Sequence, residues 1–212
     1  MVGEFDHPDL GSHYARDAGL ALVAYLGDTL HGKPTSDNQT PWITLSKLNV
    51  LELGSGCGVV GIALAQMVPC CNIWLTDLPE AMDILNHNVS EANPAHQSKL
   101  EITPLEWESS LPSIIEGQIF NLILVSDCTY NADSLPSLVQ TLSILISCSP
   151  DSHIIVSMKV RHPGEKVFFD LMSKSGLGIT KHAFITMPDD YRNTIGLELE
   201  TVDVYTFRYQ NF

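Results

Sequence analysis

Several things are scarce in this chain, and each scarcity removes a class of function. Basic residues are few: 11 Lys and Arg stand against 25 Asp and Glu, giving a formal charge of -14 and an isoelectric point near 4.7. Such a surface repels phosphate backbones and anionic lipid at long range, so neither nucleic acid nor membrane is an expected partner. Basic proteins or peptides are the more natural ones, unless the acidity serves only solubility. Cysteine is limited to Cys57, Cys70, Cys71, Cys128 and Cys148, an odd number without a C-x-x-C pair, which argues against a disulfide framework and for a reduced, cytoplasmic or nuclear setting. The eight histidines show no H-E-x-x-H spacing, so no metal site is expected. No apolar run reaches the roughly 18 residues that span a bilayer, and the acidic start "MVGEFDHPDL" is unlike a signal peptide.

What is present is alternation. At 212 residues and 44% hydrophobic content, the chain suits one domain covering 1–212. "DAGLALVAYLGDTLHG" (17–32) has apolar residues at helical spacing and ends on glycine, predicting a helix at about 15–31 ahead of a core that starts near 47. "KLNVLELG", "CNIWLTD", "LEITPLEW", "FNLILVSD" and "HIIVSMKV" read as strands. Between them "GVVGIALAQMV", "LPEAMDILNHNVSEAN" and "SLPSLVQTLSILIS" read as helices. A last helix, "EKVFFDLMSKSG", precedes two closing strands, "ITKHAFITM" and "LETVDVYTFRYQ", expected to be antiparallel. The fold class is α/β: a Rossmann-like, seven-stranded, mostly parallel sheet with helices on both faces and an antiparallel C-terminal strand pair.

In such a sheet ligands bind at the carboxyl ends of the strands, where strand order reverses. The first strand ends in "LELGSGCG", whose Gly54, Gly56 and Gly58 let backbone approach a ligand closely. A dinucleotide fingerprint would need its third glycine at position 59, where the chain has Val59, so the turn does not read as an NAD site. Asp77 closes the second strand, where a carboxylate can accept hydrogen bonds from both hydroxyls of a ribose.

The glycine turn preceded by Glu52, with Asp77 ending the next strand, resembles the class I methyltransferases that use S-adenosylmethionine. "LELGSGCGVVG", "TDLPEAMDILNHNVSEAN", "LEW" (105–107) and "DCTY" (127–130) occur in order, and together they are similar to methyltransferase family 16, the seven-strand protein lysine methyltransferases. The resemblance spans roughly residues 15 to 208. It implies S-adenosylmethionine as methyl donor, bound by Arg16, Glu52, Gly54, Ser55, Gly56, Asp77, Leu78, Trp107 and Ser126, with Asp127 and Tyr130 at the catalytic position. It also implies a monomer acting on a protein lysine, for instance in a translation elongation factor.

The residues themselves leave alternatives. Trp107 either covers an adenine face or packs in the core. Arg16 stands where family members carry tryptophan; it either pairs with the cofactor carboxylate or lies at the surface while Tyr14 supplies the aromatic face. Asp127 could orient or deprotonate the acceptor amine or cap the following helix, for which Asp133 and Ser134 are better placed. Tyr130 either walls a lysine channel or is a core aromatic. Cys128 has no histidine partner near it in sequence and reads as packing. Histidine, arginine or small-molecule methylation, and a non-catalytic cofactor-binding module, remain open on the same fold.

Overall fold

The computed structural model describes residues 10–30, 47–159, 166–186 and 201–210, with side chains from Asp17 onward in the first helix. The elements are α1 (Leu10–Leu30), β1 (Asn49–Leu53), α2 (Val59–Met67), β2 (Asn72–Asp77), α3 (Met82–Glu91), β3 (Lys99–Pro104), β4 (Leu122–Ser126), α4 (Leu135–Cys148), β5 (His153–Met158), α5 (Lys166–Lys174), β6 (Leu177–Thr186) and β7 (Thr201–Tyr209). Seven strands form one sheet in the order β3-β2-β1-β4-β5-β7-β6. β1 to β5 are parallel, and β7 runs antiparallel between β5 and β6.

Strand alternation explains why both faces must be covered. In β1, Leu51 and Leu53 face one layer, whereas Val50 faces the other. In β4, Ile123 and Val125 face the first layer, Leu122 and Leu124 the second. α4 and α5 cover the first layer. Phe168 and Met172, one helical turn apart on α5, are fully buried there, and Phe168 meets Phe207 edge to face at 5.9 Å. α1, α2 and α3 cover the second, where Leu22, Leu26, Leu64 and Leu85 have no exposed surface.

The elements differ from the sequence expectation mainly at their ends. α1 begins at Leu10, earlier than periodicity suggests. The proline-led segment divides into a 3-10 turn at Pro79–Ala81 and then α3. β3 ends at Pro104, on the edge of the sheet where the missing proline N–H costs no ladder bond, and Leu105 N–H still donates to the Asp77 carbonyl at 2.8 Å. Neither Asp133 nor Ser134 caps α4 through its side chain. A 3-10 turn at Ala132–Ser134 precedes the helix, and Asn131 caps that turn by accepting from the Asp133 N–H at 3.1 Å.

Strand order reverses between β1 and β4: β2 and β3 lie to one side of β1, β4 and β5 to the other. That crevice opens at the carboxyl ends of β1 and β4.

Candidate active site

The crevice is a cleft of about 540 Å³ lined by Gly54 and Gly56 after β1, Asp77 and Leu78 after β2, Trp107 after β3, and Ser126, Asp127 and Tyr130 after β4. Of the residues singled out from the sequence, these eight converge on one wall-to-wall space. Its volume falls in the range of small-molecule and cofactor pockets.

Backbone shape makes the cleft. Gly54 takes a φ of +66°, and a Cβ there would lie 2.5 Å from Cys128 Sγ, so the turn and the residue after Asp127 interlock only without a side chain. Gly56, at φ +55°, has nothing within 4 Å of its would-be Cβ and opens onto the cleft. The turn is tied to β2 from both sides. Ser55 N–H donates to the Thr76 carbonyl at 2.9 Å, and Thr76 N–H donates to Ser55 Oγ at 3.1 Å. The buried Ser55 is therefore a fastener and does not line the cleft.

Asp77 has two duties. Its Oδ2 accepts from Gly56 N–H at 2.6 Å and its Oδ1 from Leu78 N–H at 2.7 Å, so the carboxylate fixes the glycine turn as well as facing the cleft. Each oxygen keeps a second lone pair for a ligand hydroxyl.

Glu52 lies elsewhere. Two residues before the turn, strand alternation turns it away from the mouth and under α2, where it is 1% exposed and Oε2 accepts from Gly61 N–H at 2.9 Å. Burial pushes its pKa up from 4.5 to about 8, with the nearby Asp77 adding to the rise and the Gly61 N–H opposing it. It does not line the cleft. Gly61 shows why: a Cβ there would stand 2.2 Å from Leu75 Cδ2 and 2.7 Å from Glu52 Oε2, so α2 packs directly on the sheet. The close-packing glycine missing at position 59 is thus found two residues later.

The β4 end carries the polar block. Asp127 is buried and sits at φ +51°, a left-handed conformation uncommon outside glycine, with its N–H held by the Ser157 carbonyl at 2.9 Å. That kink sends the chain across the mouth, leaving Tyr130 73% exposed at its rim. Asp127 is not a helix cap, and Tyr130 is not a core aromatic. Cys128 packs against the Leu53 and Ser126 carbonyls, and burial together with the surrounding carboxylates raises its thiol pKa far above the ordinary value, so it stays protonated. Ser126 Oγ accepts from Ser157 Oγ at 3.1 Å.

α1 closes the side of the site. A Cβ at Gly19 would lie 3.7 Å from Ser126 Oγ, and the buried Lys159 Nζ donates to Asp17 Oδ2 at 2.7 Å, fastening the helix across the end of β5. The Arg16 side chain lies outside the described residues. Lining residues that the sequence did not single out as site residues include Leu105, Glu106, Asn131, Ser134 and Ser137. Ser134, just before α4, and Ser137 in its first turn carried the one readable signal, a polar pair three residues apart.

Residues 9–175 match the model of a family described as lysine methyltransferase. Over 133 residues the chain is 32% identical to protein N-lysine methyltransferase METTL21A of Mus musculus, covering 62% of this chain and 59% of that protein. Over 112 residues it is 36% identical to EEF1A lysine methyltransferase 3 of Xenopus tropicalis, covering 53% of this chain and 47% of that one. The chain thus spans about half to three fifths of these curated relatives. Among solved structures, the magnesium protoporphyrin IX methyltransferase of Synechocystis with bound S-adenosylmethionine superimposes with a TM-score of 0.59 at 14% identity, over 97% of this chain and 86% of that one, a likeness of fold. From the family match and the seven-strand order, this chain belongs to the lysine methyltransferase family.

Proposed function

We propose that the protein is an S-adenosylmethionine-dependent protein-lysine N-methyltransferase. Family membership supports the activity, and the observation that carries it to this chain is the shared cleft: the Gly54–Gly56 turn and Asp77 at one end, Asp127 and Tyr130 at the other. The residues present fit the cofactor. Gly56 leaves open backbone for close approach, Asp77 offers two lone pairs to ribose hydroxyls, and Trp107 and Leu78 offer apolar surface for a base.

When bound, S-adenosylmethionine supplies a methyl group on a positively charged sulfur, activated for in-line displacement by a nucleophile. The chain then has to align a neutral amine. Asp127, buried beside the cleft, accepts a hydrogen bond from the incoming lysine Nζ or takes its proton, leaving the nitrogen lone pair free to form the new C–N bond. Tyr130, at the rim, holds the aliphatic stem of the substrate lysine against its ring. Cys128 takes no covalent part, since its thiol remains protonated.

The acceptor is a lysine on a protein; a translation elongation factor is the proposed class, supported by the named relative that acts on EEF1A. The five unpaired cysteines support a cytoplasmic or nuclear location. Incubating the protein with methyl-labelled cofactor and a cell lysate tests the reading. A labelled protein band is expected with the wild type and is lost with Asp127→Asn, while cofactor affinity is retained. Equal labelling by both would remove Asp127 from the mechanism, and label appearing only in small molecules would overturn the protein substrate.

A further inference from the structure

We infer that the buried Asp17–Lys159 ion pair is a positioning device for the acceptor half of the site: it sets α1 and the end of β5 in the register that aims Asp127 at the substrate amine. The inference rests on the methyltransferase reading above and concerns the same site.

The two halves of the cleft are supported differently. The cofactor half is tied to β2, through the exchange between Ser55 and Thr76 and through Asp77, which accepts from Gly56 and Leu78. The acceptor half leans on β5. Asp127 N–H donates to the Ser157 carbonyl at 2.9 Å, Ser157 Oγ donates to Ser126 Oγ at 3.1 Å, and Thr129 Oγ1 lies 4.0 Å from Met158 Sδ. Asp127 needs that support, because a left-handed φ of +51° is held by its surroundings rather than by its own preference. Lys159 is the next residue along, and its Nζ donates to Asp17 Oδ2 at 2.7 Å with both side chains buried.

α1 carries the other end of that pair to the site. Two residues beyond Asp17, Gly19 comes against the acceptor half: a Cβ there would lie 3.7 Å from Ser126 Oγ and 3.6 Å from Val60 Cγ2. Ala18 and Ala21, on either side of it, are fully buried with Val202 of β7. Such small side chains let a helix approach closely but supply few ridges to interlock, so packing here fixes separation better than it fixes sliding. A charge-assisted hydrogen bond is directional and supplies the missing register. A buried ion pair adds little net stability over apolar residues of similar volume, because desolvation of both charges offsets their attraction. What this pair contributes is placement, next to the strand end on which Asp127 rests.

The test uses the full chain and three variants: Asp17→Asn, Asp17→Leu combined with Lys159→Met, and Leu26→Ala, which removes a core side chain of α1 away from the pair. The rate of label incorporation into a fixed cell lysate is read at saturating S-adenosylmethionine, and affinity for S-adenosylhomocysteine by calorimetry. Native-state hydrogen exchange follows the Asp127 and Ser55 amides. Both Asp17 variants are expected to lose about tenfold to a hundredfold in rate, the cost of a misplaced group, with cofactor affinity kept within about twofold. Exchange at Asp127 should quicken while that at Ser55 stays as in the wild type. Leu26→Ala should lower the melting temperature and keep the rate. A wild-type rate in the apolar double variant, a rate loss matched by Leu26→Ala, or cofactor affinity falling in step with the rate overturns the inference. If the double variant does not fold, Asp17→Asn is judged by the same criteria. A wild type that labels no protein strikes the methyltransferase reading instead; the exchange data then decide the positioning alone, and unchanged Asp127 protection overturns it.

Discussion

Replacing Glu52 by glutamine tests the electrostatics beneath the glycine turn. The glutamic acid is 1% exposed and its pKa rises from 4.5 to about 8. Between those values the folded protein holds a proton that the unfolded chain has already released, so wild-type stability falls as pH rises through that window. At about 1.4 kcal/mol per unit, the loss accumulates to about 5 kcal/mol by pH 8. Glutamine has the shape of the protonated acid and keeps an oxygen for the Gly61 N–H, now bonded at 2.9 Å. Its extra N–H groups carry a desolvation cost of about 1–3 kcal/mol that does not vary with pH, so the slope is the informative quantity rather than the absolute value. Urea unfolding of both proteins at intervals from about pH 5 to pH 8 should show the variant gaining on the wild type by about 1.4 kcal/mol per unit. Parallel stability curves would refute the buried, protonated carboxyl and with it the claim that Glu52 faces α2 rather than the ligand.

Other consequences follow from the same geometry. Asp77→Ala should weaken cofactor binding by about tenfold to a hundredfold in calorimetry, because charged hydrogen bonds contribute about 1.5–3 kcal/mol each. Since the carboxylate also accepts from Gly56 and Leu78, Asp77→Ala should lower thermal stability as well; an unchanged affinity contradicts the ligand role. Gly61→Ala sets about 1 kcal/mol of helix propensity against an overpacking cost of about 1–3 kcal/mol. With Leu75 2.2 Å from the added carbon, the clash should win, and a more stable variant would show that α2 can shift. Thiol labelling of the native protein near neutral pH should modify the exposed Cys57 and Cys148 quickly and Cys128 only on unfolding; rapid native labelling of Cys128 contradicts its packing role.

The fold was legible because both signals were strong: strands buried on two faces read as continuous apolar runs, as in "LILV", and the helices between them kept their period. The cleft was legible where a residue type and its place at a strand end agreed, as for Gly54, Asp77 and Asp127. It was not legible where orientation decided the role. Glu52 and Asp77 are both carboxylates near strand ends, yet one lies two residues short of the turn and points beneath a helix while the other closes its strand at the cleft. Counting alternation along β1 separates them; motif position does not. The left-handed Asp127 had no sequence signal, since aspartate tolerates that conformation without requiring it. The Asp17–Lys159 pair, 142 residues apart in sequence, could come only from the assembled sheet.

The most direct measurement of the central claim is the location of the transferred group. A protein captured by labelling is incubated with this chain and deuterated methyl donor, digested, and sequenced by tandem mass spectrometry. The heavy methyl is expected on a lysine side-chain nitrogen, present with the wild type and absent with Asp127→Asn. A heavy methyl on histidine, arginine or a small molecule, or none on any acceptor from a protein that binds the cofactor, would contradict it.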